Sequence, residues 1–280
     1  MRMSFWRLAD RCGLFRWVVV ATLMCGTCAA QVGPPVCPVE AGKNVKSVRP
    51  KVARPSVADT VATAEAEAAD PSVMVSAEPM ENFGVARYRL EDYAECVGTG
   101  GCYWADLDAQ AQRAESALER MVASRKPGER MAMVLDIDDT SLSSYCEMKR
   151  EDFGYINGMF NVWLASPEDS VVIPGTLRLF RKAKALGVAV FFITGRGERF
   201  RAATVKGLEA AGYKGWTGLS LRDAAQKDTP TAKYKSEERK KVVDAGYTIV
   251  MSVGDQWNDL TGTSRAEISV KLPNPFYYLP

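Results

Sequence analysis

Two aspartates separated by one residue, Asp136 and Asp138 in the run DIDDT, are the first chemically suggestive feature of this 280-residue chain. Side chains at i and i+2 of an extended segment share a face, so both carboxyls can point toward one bound group. Asp139 should face elsewhere and serve the structure. Crowded carboxylates repel unless a cation neutralises them, and Asp255 and Asp259 in GDQWND supply further oxygen ligands for that cation. With no histidine in the chain and no paired metal-ligand cysteines, Mg²⁺ is the natural candidate. Thr194 in ITGR offers a hydroxyl to an anion, and Lys235 in YKSEER places a positive charge just before a helix predicted from Ser236. A nucleophilic carboxylate, a second carboxyl able to pass a proton, a hard cation, a lysine and a hydroxyl are the parts that phosphoryl transfer needs. The missing imidazole excludes Ser-His-Asp triads, His-ligated zinc hydrolases and phosphohistidine chemistry.

Each of these residues also has a plainer reading. The acid pair could cap a turn, Thr194 could be a helix N-cap, and Asp259 could favour the first turn of a helix through the dipole. Lys235 lies among Lys233, Arg239, Lys240 and Lys241, a run that reads as a solvated helix face, with Lys233 its competitor. Trp257 and the pair Tyr277–Tyr278 read as packing.

The elements that must position these residues follow from periodicity. Trp104, Leu107, Ala111, Ala114, Leu118 and Met121 recur at spacings of three and four, the buried stripe of a helix between Tyr103 and Ser124. Met131–Ile137 is an apolar run of strand length bounded by charge, as a buried parallel strand should be. Helices are predicted from Thr176 to Leu186, up to Ala211, and from Ser236 to Ala245. Strands are predicted at Val188–Thr194, Trp216–Leu219, Thr248–Val253 and Glu267–Leu272. This alternation makes a doubly wound α/β domain with a mostly parallel sheet, in which ligands bind beyond the carboxyl ends of the strands. Asp136, Thr194 and Asp255 all stand where a predicted strand stops. Residues 141–175 form a long cap-like insertion carrying Tyr145, Phe153, Tyr155, Phe160 and Trp163, either a rim that stacks an aromatic or nucleoside leaving group or a satellite core.

The order DIDDT, ITGR, YKSEER and GDQWND resembles the haloacid dehalogenase (HAD) superfamily, and within it the class B type acid phosphatase branch of plant acid phosphatases and vegetative storage proteins, subfamily IIIB. The upstream GCYWADL and the closing KLPNPFYYLP resemble that branch too, so the likeness runs from about Tyr93 to Pro280. The resemblance implies a phosphomonoester hydrolase: Asp136 would attack phosphorus, and Asp138 would protonate the leaving oxygen and then deprotonate water. Thr194 and Lys235 would hold the phosphoryl oxygens. Mg²⁺ would be bound by the carboxylates of Asp136 and Asp255 and the backbone carbonyl of Asp138, with Asp259 acting through water. Transfer to alcohol acceptors and non-catalytic storage are the rival readings.

Outside this domain, read as residues 81–280, the composition changes. Arg2, Arg7, Arg11 and Arg16 precede the apolar run WVVVATLMCGTCAA, a secretory signal pattern over residues 1–30 that directs the chain to the periplasm or outside the cell. Cys25 and Cys28 sit in poor contexts for lipid attachment, and fourteen uncharged residues are too few for a comfortable span, so no stable membrane span is expected in the mature form. Residues 31–80 hold seven of the fourteen prolines and no Leu, Ile or aromatic residue, the composition of a flexible tether, with an arm docked on the domain as the alternative. The 36 basic and 34 acidic residues nearly balance, which leaves no electrostatic footprint for a nucleic-acid polymer. A small phosphomonoester is the partner expected; homo-oligomerisation stays open. Cys37, Cys96, Cys102 and Cys146 remain after export, and Cys96 and Cys102 flank a Gly-rich turn that suits a local disulfide.

Overall fold

The computed structural model describes residues 33–37, isolated positions between 66 and 80, residues 81–166 and residues 171–279. The predicted signal segment and most of the predicted tether lie outside the described residues. Five parallel strands form the central sheet in the order β5-β4-β1-β6-β7: β1 (Met131–Leu135), β4 (Ala189–Gly197), β5 (Gly218–Arg222), β6 (Thr248–Gly254) and β7 (Ile268–Lys271). A two-stranded antiparallel pair, β2 (Leu142–Ser143) with β3 (Val171–Val172), opens and closes the insertion.

Strand β1 sits at the centre and is buried along its whole length, which explains its unbroken apolar sequence MAMVL. Its side chains alternate between two cores. Met131, Met133 and Leu135 join the larger one with Trp104, Leu107 and Leu118; Ala132 and Val134 join a smaller one with Ile193, Tyr234 and Val242. Helices therefore cover both faces, the doubly wound arrangement the alternation predicts. Helix α1 (Phe83–Glu95) leads into α2 (Tyr103–Ala123), whose stripe at spacings of three and four is the buried one. Helix α2 runs against α5 (Pro174–Ala185), where a side chain at Gly175 would come within 2.7 Å of the Ala111 methyl. Helices α6 (Arg201–Ala210) and α7 (Thr231–Asp244) follow β4 and β5.

Several boundaries differ from the sequence reading. Strand β1 stops at Leu135: Asp136 keeps one bond, from its N–H to the Val253 carbonyl at 3.1 Å, and the chain then leaves the ladder for a tight turn. Strand β5 lies later than Trp216–Leu219, ending at Arg222. Helix α7 starts five residues before Ser236, at Thr231 after Pro230, so Lys235 lies inside the helix and not ahead of it. Pro230 is its N-cap, with ψ at 136°, and a proline ahead of the first turn removes no intrahelical N–H bond.

Among the described residues there are two disulfides, Cys96–Cys102 and Cys37–Cys146. The second joins a residue of the segment read as a tether to helix α3 (Tyr145–Arg150), so the chain at Cys37 is docked on the domain. Among the described residues no helix is long and apolar enough to cross a membrane.

Candidate active site

The turn after β1 is held by its own backbone. The carbonyl of Ile137 accepts from the N–H groups of Thr140, Ser141 and Leu142, and the Asp139 N–H donates to the Leu142 carbonyl at 2.7 Å. Asp139 takes the left-handed conformation this requires, with φ at 50°, one that aspartate tolerates better than most residues. Its carboxylate turns inward and accepts from Ser144 N–H at 2.8 Å, Ser144 Oγ at 2.5 Å and Ser143 Oγ at 3.2 Å. Asp139 is thus the brace of the turn, as expected. Ser141 Oγ donates to the carbonyl of Asp136 at 2.7 Å and fixes the backbone beside that residue.

So braced, Asp136 lies at the rim of the sheet, 5% exposed. Lys235 Nζ donates to Asp136 Oδ1 at 2.8 Å and also contacts Asp259 Oδ1, bridging the two acids. Burial pushes the Asp136 carboxyl well above the ordinary range, Asp259 adds to that, and Lys235 opposes it. Burial disfavours charge on Lys235 as well, yet Asp136 and Asp259 outweigh it and hold the ammonium ionised. Lys233, its competitor, has a side chain 67% exposed and pairs with Glu237 at 3.9 Å. Lys235 shares its helix face with Arg239, four residues on. Arg239 is buried and donates to the carbonyls of Asp259, Thr261 and Ser264, so the basic run is split between a solvated face and a buried one.

Asp255 follows β6 and is 2% exposed. Thr140 Oγ1 donates to its Oδ1 at 3.1 Å, while Gln256 Nε2 and Asn274 Nδ2 donate to Oδ2 at 2.6 and 2.7 Å. Burial, reinforced by Asp259, raises its carboxyl to about 6. Oxygens of Asp136, Asp255 and Asp259 all lie within 4.8 Å of one another. An all-carboxylate donor set of this kind fits a hard divalent cation and not a soft one. The close approach that allows it depends on Gly254, since any side chain there would collide with Asp259.

Asp138 belongs to a different partnership. Its carboxylate receives Arg196 Nη2 at 2.7 Å and Nε at 3.0 Å, and Arg196 itself is buried near Trp163. The side chain of Asp138 is therefore outside the carboxylate cluster, yet it lines the same cavity as Asp136, so both carboxyls face one space. Thr194 is fully buried, accepts from the Arg196 N–H at 3.2 Å and is not among the residues that line the cavity.

That cavity, about 580 Å³, is lined by Asp136, Asp138, Lys235 and Asp255. Tyr155 and Phe160 of the insertion also line it, whereas Tyr145 and Trp163 are buried in the core, so the insertion is partly rim and partly core. Tyr277, expected to be packing alone, lines the cavity and hydrogen-bonds Asp139. Trp257 is 58% exposed. The residues missed by sequence reasoning are Arg196, Gln256 and Asn274. ITGR and GDQWND contain the first two, but nothing local announces their partners.

The sequence profile of HAD superfamily, subfamily IIIB (Acid phosphatase) matches residues 56–280. The chain belongs to this family. Acid phosphatase 1 of Solanum lycopersicum is 36% identical over 149 residues, covering 52% of this chain and 58% of its own length. Vegetative storage protein 1 of Arabidopsis thaliana is 37% identical over 150 residues, covering 52% and 55%. The chain thus spans less than two thirds of the length of these curated relatives. The class C acid phosphatase from Bacillus anthracis superimposes with a TM-score of 0.55 at 22% identity, covering 69% of this chain and 85% of that one; the two share a fold.

Proposed function

We propose that this chain is an exported, Mg²⁺-dependent acid phosphatase that hydrolyses small phosphomonoesters, nucleotides among them, through an aspartyl-phosphate on Asp136. The observation that carries the reading is the placement of Asp136: a buried carboxylate at the end of the central strand, with Lys235 on one oxygen and a cavity in front of it. In this reading an Asp136 oxygen attacks phosphorus, the bond to the leaving oxygen breaks, and that oxygen takes its proton from Asp138. A water then attacks the same phosphorus and gives its proton to Asp138, releasing inorganic phosphate and free Asp136. Arg196 fixes the direction of the Asp138 carboxyl, and Thr194 fixes the backbone of Arg196. Lys235 keeps Asp136 and Asp259 from repelling each other and offers a positive charge to the phosphoryl oxygens.

The residues that would hold Mg²⁺ are Asp136 and Asp255, with the Asp138 carbonyl, and Asp259 through water. Bound there, the ion supplies positive charge that lets a phosphate dianion approach the acids. Leaving-group departure needs the proton on Asp138, and a pH–rate profile reads the optimum. Export is supported by the Arg-led apolar N-terminus and by two disulfides, which persist in oxidising compartments.

Asp136→Asn tests the reading. The variant should keep its circular dichroism spectrum and lose p-nitrophenyl phosphate hydrolysis by at least ~10³-fold. Activity equal to the parent's would remove Asp136 from the role of nucleophile. A folded parent inactive with Mg²⁺ at every pH would favour storage, the role that the names of some relatives suggest.

A further inference from the structure

We infer that the cavity has a second anion-binding end, and that the site selects phosphomonoesters whose leaving group carries another phosphate. The inference rests on the phosphatase reading above and adds to it a substrate class.

Charges in the cavity pair off at one end only. Lys235 is taken up by Asp136 and Asp259, and Arg196 by Asp138. Three more cations line the same cavity: Arg199, Arg222 and Lys227. Among the described residues Arg199 and Arg222 have no carboxylate partner; the contact of Arg199 within the cavity is a donation to the Asn161 amide oxygen at 3.2 Å. Lys227 is paired, among the described residues, with Asp228 alone, at 4.0 Å, with the side chains 75% and 88% exposed, a surface pair of little worth. Arg222 donates to the carbonyls of Lys227 and Thr229 and to Thr231 Oγ1, and so closes the loop that carries Lys227 to the rim. Its Nε is buried with no hydrogen-bond partner. This part of the lining therefore carries three cations and, among the described residues, no carboxylate partner but the exposed Asp228, a positive field that draws an anion into the cavity.

The sheet order sets the spacing. Arg222 ends β5 and Asp136 follows β1, with β4 between them. Neighbouring strands lie about 4.8 Å apart, so the two backbones are offset by roughly 10 Å. A phosphoryl group seated at Asp136 stands two strands away from the one that carries Arg222. A second phosphate at the other end of a sugar-sized leaving group reaches across that offset. The first turn of α7 lies on the same wall through Thr231, and its free N–H groups add to the attraction.

The test compares fructose 1,6-bisphosphate with fructose 6-phosphate, two esters on one scaffold without an aromatic ring. The bisphosphate should show a kcat/KM at least ~10-fold higher, beyond the factor of two for its two esters. The gain should lie mainly in KM and shrink as ionic strength rises toward ~1 M, where the screening length falls to about 3 Å. The double variant Arg199→Gln/Lys227→Gln alters two exposed side chains and should bring the ratio near two. Arg222→Gln, checked by thermal melting because Arg222 braces a loop, should lower the ratio as well. A parental ratio of two or less, or a ratio that survives the double variant, overturns the second anion end while leaving the phosphatase reading intact. Failure to hydrolyse either sugar phosphate or p-nitrophenyl phosphate overturns the phosphatase reading itself, and this inference with it.

Discussion

Asp136 and Asp138 stand two residues apart and occupy different surroundings. The side chain of Asp136 is 6% exposed and tied to Lys235 within a cluster of buried acids, whereas that of Asp138 is 18% exposed and gripped by Arg196 at the cavity wall. The first environment is fixed by elements far apart in sequence, α7 and the loop after β6, and it changes little without moving the sheet. The second is a single guanidinium fork at the mouth. A nucleophile benefits from rigidity and a fixed counter-charge, and a proton carrier from access to solvent and leaving group.

The buried side is the more sensitive of the two. Gly254→Ala would drive a methyl into Asp259 and displace it from Lys235. Because a misplacement of about 1 Å can cost ~100-fold, kcat for p-nitrophenyl phosphate should fall by that order, and the thermal midpoint should fall with it. Full activity would mean that Asp259 has no part in holding the Lys235 bridge. On the open side, Arg196→Met should lower kcat by about tenfold with KM little changed, since the Asp138 carboxyl loses the guanidinium that directs it. Arg196→Lys, which keeps the charge but not the fork, should recover only part of that loss, a graded result that loss of packing alone would not produce. A kcat equal to the parent's in Arg196→Met would separate Arg196 from the chemistry.

The smallest effect is a pH dependence of stability in protein stripped of metal. Burial, with Asp255 adding to it, raises the Asp139 carboxyl to about 7, and burial with Asp259 raises Asp255 to about 6. Each binds its proton more tightly folded than unfolded. The stability this contributes is therefore complete below the ordinary carboxyl value of 3.8 and is lost as pH climbs through about 6 and then about 7. The slope is at most ~1.4 kcal/mol per pH unit for each carboxyl still holding its proton. Thermal melts should show metal-free protein weakening from pH 4 to 7, and Mg²⁺ should oppose the trend by favouring the ionised acids. A metal-free midpoint that rises over that range would contradict the burial of these groups.

Much of this arrangement was legible in the sequence, for identifiable reasons. The alternation of apolar runs and amphipathic stripes yields the two-faced sheet, because β1 must be buried on both sides. DIDDT, ITGR and GDQWND sit at strand ends, so topology alone carries them to one rim. The exceptions are long-range. The pairing of Asp138 with Arg196 depends on β4 lying beside β1, and the saturation of Asp255 depends on the C-terminal segment folding back to bring Asn274 within 2.7 Å. Neither is encoded in local spacing. The start of α7 was available in Pro230, but the lysine-rich run that follows masks which side chains are buried. The inner face is marked by two i, i+4 series, Lys235 with Arg239 and Tyr234 with Glu238 and Val242, all of them buried.

The central claim is that Asp136 carries the phosphoryl group during turnover. Acid quenching during steady-state hydrolysis of a ³²P-labelled phosphomonoester, followed by borohydride reduction and peptide mass spectrometry, reads this directly. The account predicts label in the protein during turnover and conversion of residue 136, alone among the aspartates, to the reduced product homoserine. Rapid hydrolysis with no protein-bound label, or with the modification on Asp138, Asp255 or any other residue, would contradict it.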